Sequence, residues 1–389
     1  MRFQFATVSE QDIQSSRGGD DMLQAIRFEG PRDQLITGRP GSGKTTVTIM
    51  RARHLTALGK QVIFFTKHNL LVYSLKNTYP RLNIHGIYSW FTRHTSGDYL
   101  SEYNDGPTLR AKVTSPDFQY AEVLVDEGQD LPGYMYEALP HMGTRFSVGA
   151  DTAQRVYTDG ADAATIENIL KKQGRTIRPV ELQYNYRNFV ETYDFARQFV
   201  PQVDAANSAL ILANTTKGKG GADILPRVIQ VANKIDRLYN LVQDNITTNM
   251  AIVLFHVDDA VAYHKALQAK GVECSLYHHE LSTEAKKAVA ADMQSVLVTT
   301  YMSVKGLEFP VVIMPEMEHA PFEEYPSHFY VGCTRATERL FLLYQGSVLP
   351  SCLKDFNKAS YRHISLSDSQ YQTSTVKLPQ LGKDEEAPF

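Results

Sequence analysis

The chain has 389 residues, 43% of them hydrophobic, with 40 Lys and Arg set against 43 Asp and Glu for a formal net charge of −3. That length suits two domains of ordinary size, and the balance of charge excludes a global basic field, so any nucleic-acid contact has to come from a local cleft. Cys274, Cys333 and Cys352 are too few and too scattered for a disulfide framework or a metal knuckle. The opening MRFQFATVSEQD has no charged leader followed by an apolar core, and no apolar run reaches the length of a membrane span. The expectation is a soluble cytoplasmic protein in a reducing compartment, with no membrane contact.

Along the chain, the first strong signal is at residues 34–50. Gln34-Leu35-Ile36-Thr37 is a short apolar edge of the kind that ends a buried strand, GRPGSGKT fills residues 38–45, and Thr46 and the residues behind it can continue as a helix. Strand, glycine-rich turn and helix form the context in which such a loop wraps phosphates. Gly38, Gly41, Ser42 and Gly43 let successive backbone N–H groups turn inward, and the helix that takes in Thr46 points its positive end at the same place. Lys44 adds a point charge near the outer phosphates, and the Thr45 hydroxyl is a ligand for Mg²⁺.

Short β-branched or apolar runs then alternate with stretches suited to helices, at residues 61–65, 121–125 and 145–149 and again at 227–231, 250–255, 295–299, 310–314 and 339–344. Such alternation predicts α/β architecture with parallel sheets covered by helices, and the two groups of strands predict two lobes. The lobes are expected at residues 1–180 and 181–348. Residues 200–226 read as loop, and residues 349–389 as a polar tail in which the strand rhythm is lost. Between the lobes' strand groups no sequence repeat stands out.

Leu124-Val125-Asp126-Glu127-Gly128-Gln129-Asp130 follows a strand start, so Asp126 and Glu127 emerge at a strand end, where ligands gather in parallel sheets. Asp126 there can hold Mg²⁺ opposite Thr45. Glu127 is placed to accept a proton from an attacking water.

DEGQD, then Gly149-Ala150-Asp151-Thr152-Ala153-Gln154-Arg155-Val156-Tyr157, Asn185-Tyr186-Arg187-Asn188, Lys305-Gly306-Leu307-Glu308-Phe309 and Tyr330-Val331-Gly332-Cys333-Thr334-Arg335-Ala336 occur in that order. With the phosphate loop, the series resembles the motifs of the UvrD/Rep-like branch of superfamily 1 helicases, over residues of about 24–345. The resemblance implies two RecA-like lobes with ATP and Mg²⁺ between them. It gives Gln24 the edge of adenine, Gln154 the sensing of the γ-phosphate, and Tyr186 the stacking on the base. Arg187 falls to the γ-phosphate, Glu308 to the ribose hydroxyls with Gly306 allowing close approach, and Arg335 to the role of arginine finger, a contact worth about 10³ to 10⁵ in turnover.

On the nucleic-acid side the resemblance implies that Phe65, Thr66, Trp90 and Tyr157 line a groove for a single strand of DNA, with RNA as the alternative, where stacking contributes about 1 to 3 kcal/mol per base. Apolar runs of this kind equally serve as core. The chain departs from the family after Thr66, where Lys67 and His68 replace the usual residues, and after Tyr157, where Asp159 puts an acid. Residues 92–118 leave room for only a vestige of the insertion that builds an accessory domain in larger relatives. The expected activity is that of a compact ATPase stimulated by single-stranded DNA, translocating 3′ to 5′. The alternative is a nucleotide-gated subunit that licenses a protein partner such as a nuclease, in the manner of anti-phage systems.

Overall fold

The computed structural model describes residues 3, 8–94, 106–151, 159–200, 210–318 and 324–367. Two compact units make up the chain, Thr7–Asn185 and Tyr186–Phe389, with Met1–Ala6 belonging to the second.

In the first unit the elements run α1 (Glu10–Ser15), α2 (Gly19–Ile26), β1 (Asp33–Gly38), α3 (Lys44–Ala57), β2 (Val62–Thr66), α4 (Asn69–Thr78), β3 (Ile84–Gly86), α5 (Ile87–His94), α6 (Gly106–Val113), β4 (Tyr120–Asp126), α7 (Gly133–Ala138), β5 (Gly143–Ala150), α8 (Ala163–Lys172) and β6 (Ile177–Leu182). The six strands form one sheet in the order β3-β2-β4-β5-β1-β6, and every pairing is parallel. Every residue of β2 is buried, as a parallel sheet covered on both faces requires. Ile63, Phe65, Val123, Val125, Phe146 and Val148 share a core with Trp90, Phe91, Leu109, Val113, Met135 and Tyr136. Because the strands are parallel, β1, β2, β4 and β5 all deliver their C-terminal ends to one edge. Thr66 lies level with Asp126 and Ile36 with Gly149.

The second unit holds α9 (Val190–Ala196), β7 (Arg227–Gln230), α10 (Lys234–Asp244), β8 (Met250–Leu254), α11 (Val257–Ala269), β9 (Ser275–Tyr277), α12 (Thr283–Ala291), β10 (Val296–Thr300), β11 (Phe309–Met314), α13 (Pro326–Cys333), β12 (Ala336–Tyr344) and β13 (Arg362–Ile364). Its seven strands, ordered β13-β7-β12-β11-β8-β10-β9, are again all parallel. The helix α10 shows how the elements form locally. Asn233 caps its start by accepting from the Asp236 N–H, and Leu238, Leu241 and Val242, spaced for one helical face, are buried against Ile229, Phe341 and Leu343 of the sheet.

The predicted strands are all present within a residue or three at each end. Missed were β3, β6, β9 and β13, which are short or carry charge; β6, with Pro179 and half-exposed polar residues, occupies a sheet edge, where a proline costs no ladder bond. The segment from residue 349, expected as a polar tail, packs on the second sheet over its described part. Cys352, Leu353, Phe356 and Tyr361 are buried, and β13 pairs with β7, so this segment closes the second sheet. Among the described residues no helix is long and apolar enough to cross a membrane.

Candidate active site

The glycine-rich turn joins β1 to α3. Gly43 has φ +88°, a left-handed conformation, and an added Cβ would stand 2.7 Å from the Met22 side chain, so glycine is needed there on both counts. Ser42 is buried, and its hydroxyl has no hydrogen-bond partner among the described residues. A phosphate oxygen accepting from it would supply that partner. The Lys44 ammonium donates to the Gly38 and Arg39 carbonyls at 2.7 and 2.9 Å and lies 3.5 Å from the Asp151 carboxylate. Thr46 is half-buried on the first turn of α3.

Thr45 donates its hydroxyl to Asp126 Oδ2 at 2.8 Å. Mg²⁺ binds oxygens at about 2.0–2.1 Å in an octahedron, whose neighbouring ligands sit about 2.9 Å apart, so these two donors fit one edge of its coordination shell. Burial, and then the neighbouring Glu127 charge, push the Asp126 carboxyl up to about 7, while the Thr45 hydrogen bond and the Lys44 charge oppose the shift. A divalent cation on these oxygens favours the charged form.

Glu127 has φ +53° and is the one non-glycine with a left-handed backbone among the described residues. That conformation costs an ordinary residue roughly 1–2 kcal/mol, and such strain gathers where a side chain must be aimed. Its carboxylate accepts from Gln129 Nε2 at 2.5 Å, and Gln129 Oε1 in turn accepts from the Asp151 N–H at 2.8 Å. The turn is tied from below by Tyr136, whose hydroxyl donates to the Gly128 carbonyl at 2.5 Å. Gln129 and Asp151 therefore belong to the site, although sequence reasoning gave neither a role. The signal available was their presence in DEGQD and GAD; what it could not supply was their pairing across two strand ends.

Asp130, the last residue of that turn, faces the end of β2, where His68 Nε2 meets its carboxylate at 2.7 Å and Lys67 donates to its carbonyl at 2.9 Å. The residues that depart from the family pattern after Thr66 thus anchor the acidic turn. Gln24 is exposed on α2, and its Oε1 accepts from Arg178 at 3.3 Å.

Three expected nucleic-acid contacts are corrected by burial. Phe65 is 0% exposed and Trp90 3%, and their rings meet edge to face at 5.4 Å. Thr66 is also enclosed. As packed, Phe65 and Trp90 fill the core between the sheet and α5, and neither offers a face to a base. Gln154 and Tyr157 lie outside the described residues.

In the second unit, Arg187 pairs through Nε with Glu308 Oε2 at 2.5 Å and donates to the Thr334 carbonyl at 3.5 Å. Asn188 holds the same corner, donating to the Thr334 and Ala336 carbonyls at 3.2 and 2.7 Å. Surrounding protein works against the Glu308 charge, but the Arg187 guanidinium, its hydrogen bond, Arg335 and Lys217 outweigh it and hold the carboxyl below its usual range. Glu308, expected to take ribose hydroxyls, is thus engaged by Arg187 while its side chain stays 44% exposed. Gly306 has φ +83°, which reserves the position for glycine. Tyr186 is half-buried.

Arg335, which the resemblance gives the role of arginine finger, is 1% exposed and donates to the Val331 and Leu307 carbonyls at 3.1 and 3.4 Å. Its guanidinium braces the turn between α13 and β12 against the loop that carries Glu308. The Cys333 thiol packs on the Met314 sulfur at 3.7 Å, a core contact.

Comparison with known proteins finds a family match over part of the second unit. Residues 295–343 match the model of the UvrD-like helicase C-terminal domain, a span that takes in Gly306, Glu308 and Arg335. A protein of Acanthamoeba polyphaga mimivirus that carries the name of an ATP-dependent DNA helicase is 22% identical over 251 residues, which span 57% of this chain and 34% of the relative. This chain thus spans about a third of that relative's length. Among solved structures, a C-terminal domain named for a DNA helicase of Lactobacillus plantarum is 24% identical, covering 46% of this chain and 98% of that one with a TM-score of 0.35. S. cerevisiae Dbp5 bound to RNA and ADP BeF3 is 13% identical over 91% of this chain and 83% of that one, with a TM-score of 0.46. Within a chain of two parallel-sheet α/β units, residues 295–343 of the second are thus similar to the UvrD-like helicase C-terminal domain.

Proposed function

We propose that the protein is an ATPase of the UvrD-like class whose turnover rises on single-stranded DNA, with 3′ to 5′ translocation as the resemblance implies. The observation that carries the reading is the Thr45–Asp126 contact of 2.8 Å at the foot of the phosphate loop, with Glu127 held beside it in a strained backbone. A phosphate loop alone would bind nucleotide. A hard-oxygen pair with an aimed carboxylate next to it is equipped to hydrolyse one.

In this mechanism Lys44, the Ser42 hydroxyl and the N–H groups of the turn bind the triphosphate. Thr45 and Asp126 hold Mg²⁺, which when bound supplies charge compensation on the phosphate oxygens. Glu127 orients the attacking water and accepts its proton, and Gln129 keeps the carboxylate from turning away. Arg187 and Arg335 supply the cationic charge that the resemblance assigns to the second lobe. For Arg335 this requires its guanidinium to leave the carbonyls of Val331 and Leu307 during the cycle. Steady-state phosphate release tests the reading. Lys44→Ala and Glu127→Gln, each with an unchanged melting profile, should both lose turnover, and full turnover in either would remove its basis.

A second reading draws on the burial of Phe65 and Trp90, which takes away expected stacking contacts. In it, nucleotide binding switches a protein partner such as a nuclease, and no strand is displaced by this chain alone. Purification with co-expressed genomic neighbours separates the two. A stable complex whose nuclease activity follows ATP favours the switch, and unaided strand displacement by the isolated chain rules it out.

A further inference from the structure

The phosphate-loop pattern specifies two glycines, a lysine and a hydroxyl residue and leaves the four positions between the glycines open. The first of those open positions is Arg39, to which the pattern gives no role. Its carbonyl accepts from the Lys44 ammonium at 2.9 Å, and its side chain turns to the same carboxylate as Lys44 does. Arg39 Nη1 lies 3.8 Å from Asp151 Oδ1, and Lys44 Nζ lies 3.5 Å from Asp151 Oδ2. Two cations of one loop thus bracket one anion.

Both contacts are loose. Charge-assisted bonds close to about 2.7–2.9 Å, and elsewhere in the same unit Arg51 closes on Glu122 at 2.5 Å. Asp151 directly follows β5, its N–H is held on Gln129 Oε1 at 2.8 Å, and its side chain is 1% exposed, so its backbone limits how far the carboxylate can close on either cation. A phosphoryl group arrives on a ligand that can adjust its position, and its several oxygens suit the fork of a guanidinium. In such a loop the backbone N–H groups cradle the inner phosphates while the lysine reaches the outer ones. The anion that Lys44 and Arg39 can share is therefore the outermost, which a diphosphate lacks.

We propose that Arg39 is a specificity-determining residue for the terminal phosphate, which it binds beside Lys44 in the place the Asp151 carboxylate marks, so that the loop favours a nucleoside triphosphate over a diphosphate. This rests on the reading of the loop as a nucleotide site, and the test keeps the two apart. Calorimetric titration of the full chain with Mg²⁺ and either ADP or an ATP analogue whose β–γ bridge resists hydrolysis reads both affinities without turnover. The proteins are the wild type, Arg39→Ala, Arg39→Lys, Asp151→Asn and the double variant Arg39→Ala with Asp151→Asn, each checked for an unchanged melting profile. Arg39→Ala should weaken the triphosphate by about tenfold or more, the worth of one charge-assisted hydrogen bond, and leave the diphosphate within about twofold. Arg39→Lys, which keeps the charge but lacks the fork, should retain part of the preference. The loss should recur when Arg39→Ala is added to Asp151→Asn, where no carboxylate is left for Arg39 to neutralise. If the double variant instead binds the triphosphate as Asp151→Asn does, Arg39 acts only by offsetting Asp151, and the proposal is overturned. A fall in both affinities together, the mark of a merely structural role, overturns it too, as does no change in either. A wild type that binds neither nucleotide overturns the reading of the loop and the proposal with it, whereas wild-type binding of both nucleotides in Arg39→Ala overturns the proposal alone.

Discussion

Replacing Glu127 by glutamine isolates its proposed chemistry from its place in the fold. The amide keeps the shape of the side chain and an oxygen to accept from Gln129, the contact of 2.5 Å in the native turn, while the capacity to take a proton is lost. The charge removed is one that pushes the neighbouring Asp126 carboxyl upward, so its loss eases Asp126 towards its charged form and leaves nucleotide binding intact or tighter. Stability should therefore change by less than about 1 kcal/mol. A general base is typically worth about 10²–10⁴ in rate, and at about 1.36 kcal/mol per tenfold the barrier should rise by about 3–5 kcal/mol. Glu127→Gly supplies a control: it releases left-handed strain of roughly 1–2 kcal/mol and should be equally inactive while melting no lower than Glu127→Gln. The assay is single-turnover phosphate release beside an equilibrium titration of nucleotide. A Glu127→Gln rate within about threefold of the wild type, in a protein that binds ATP normally, would refute the reasoning.

Other consequences follow from the same packing. Arg51 and Glu122, both fully buried, form a two-point pair at 2.5 and 2.7 Å, so Arg51→Met leaves Glu122 with Arg145 at 3.1 Å as its remaining cation and should cost about 3–5 kcal/mol; a melting point unchanged within a degree would contradict this. Trp90→Ala should destabilise by a similar about 3–5 kcal/mol, as a core deletion does, and a loss of DNA affinity without loss of stability would restore Trp90 as a stacking surface. Burial first, then the charges of Lys76, Arg93 and His94, lower the His85 pKa from 6.5 to about 4. Between those values an unfolded chain binds the proton that the fold refuses, so stability should fall as pH drops from about 6.5 to about 4. Denaturant titrations across that range should show a shallower fall for His85→Asn, and equal slopes in both proteins would count against the assignment.

What the sequence made legible was the chemistry carried by short contiguous patterns. The phosphate loop needs its glycines and lysine next to one another, and Asp126 and Glu127 announce themselves by following the apolar strand of residues 121–125. Fully buried parallel strands read clearly as apolar runs, which is why β2 and β8 were found. Relations between distant residues were illegible. His68 meets Asp130 across 62 positions, and Gln129 meets the Asp151 backbone across 22, pairings set by which strands lie side by side. Burial was the other gap. Phe65 and Trp90 satisfy equally the pattern of a stacking platform and that of a core, and the packing of α5 on the sheet decided for the core. Arg335 carried a family role in its motif, but nothing in the string GCTRA foretold that carbonyls of Val331 and Leu307 would enclose its guanidinium.

ATP turnover by the purified chain, measured with and without single-stranded DNA over a series of salt concentrations and beside Lys44→Ala, tests the central claim most directly. The account predicts turnover that rises on single-stranded DNA, that loses this rise steeply with salt as phosphate contacts are screened, and that vanishes with Lys44. Turnover indifferent to every nucleic acid, or surviving in Lys44→Ala, would contradict it.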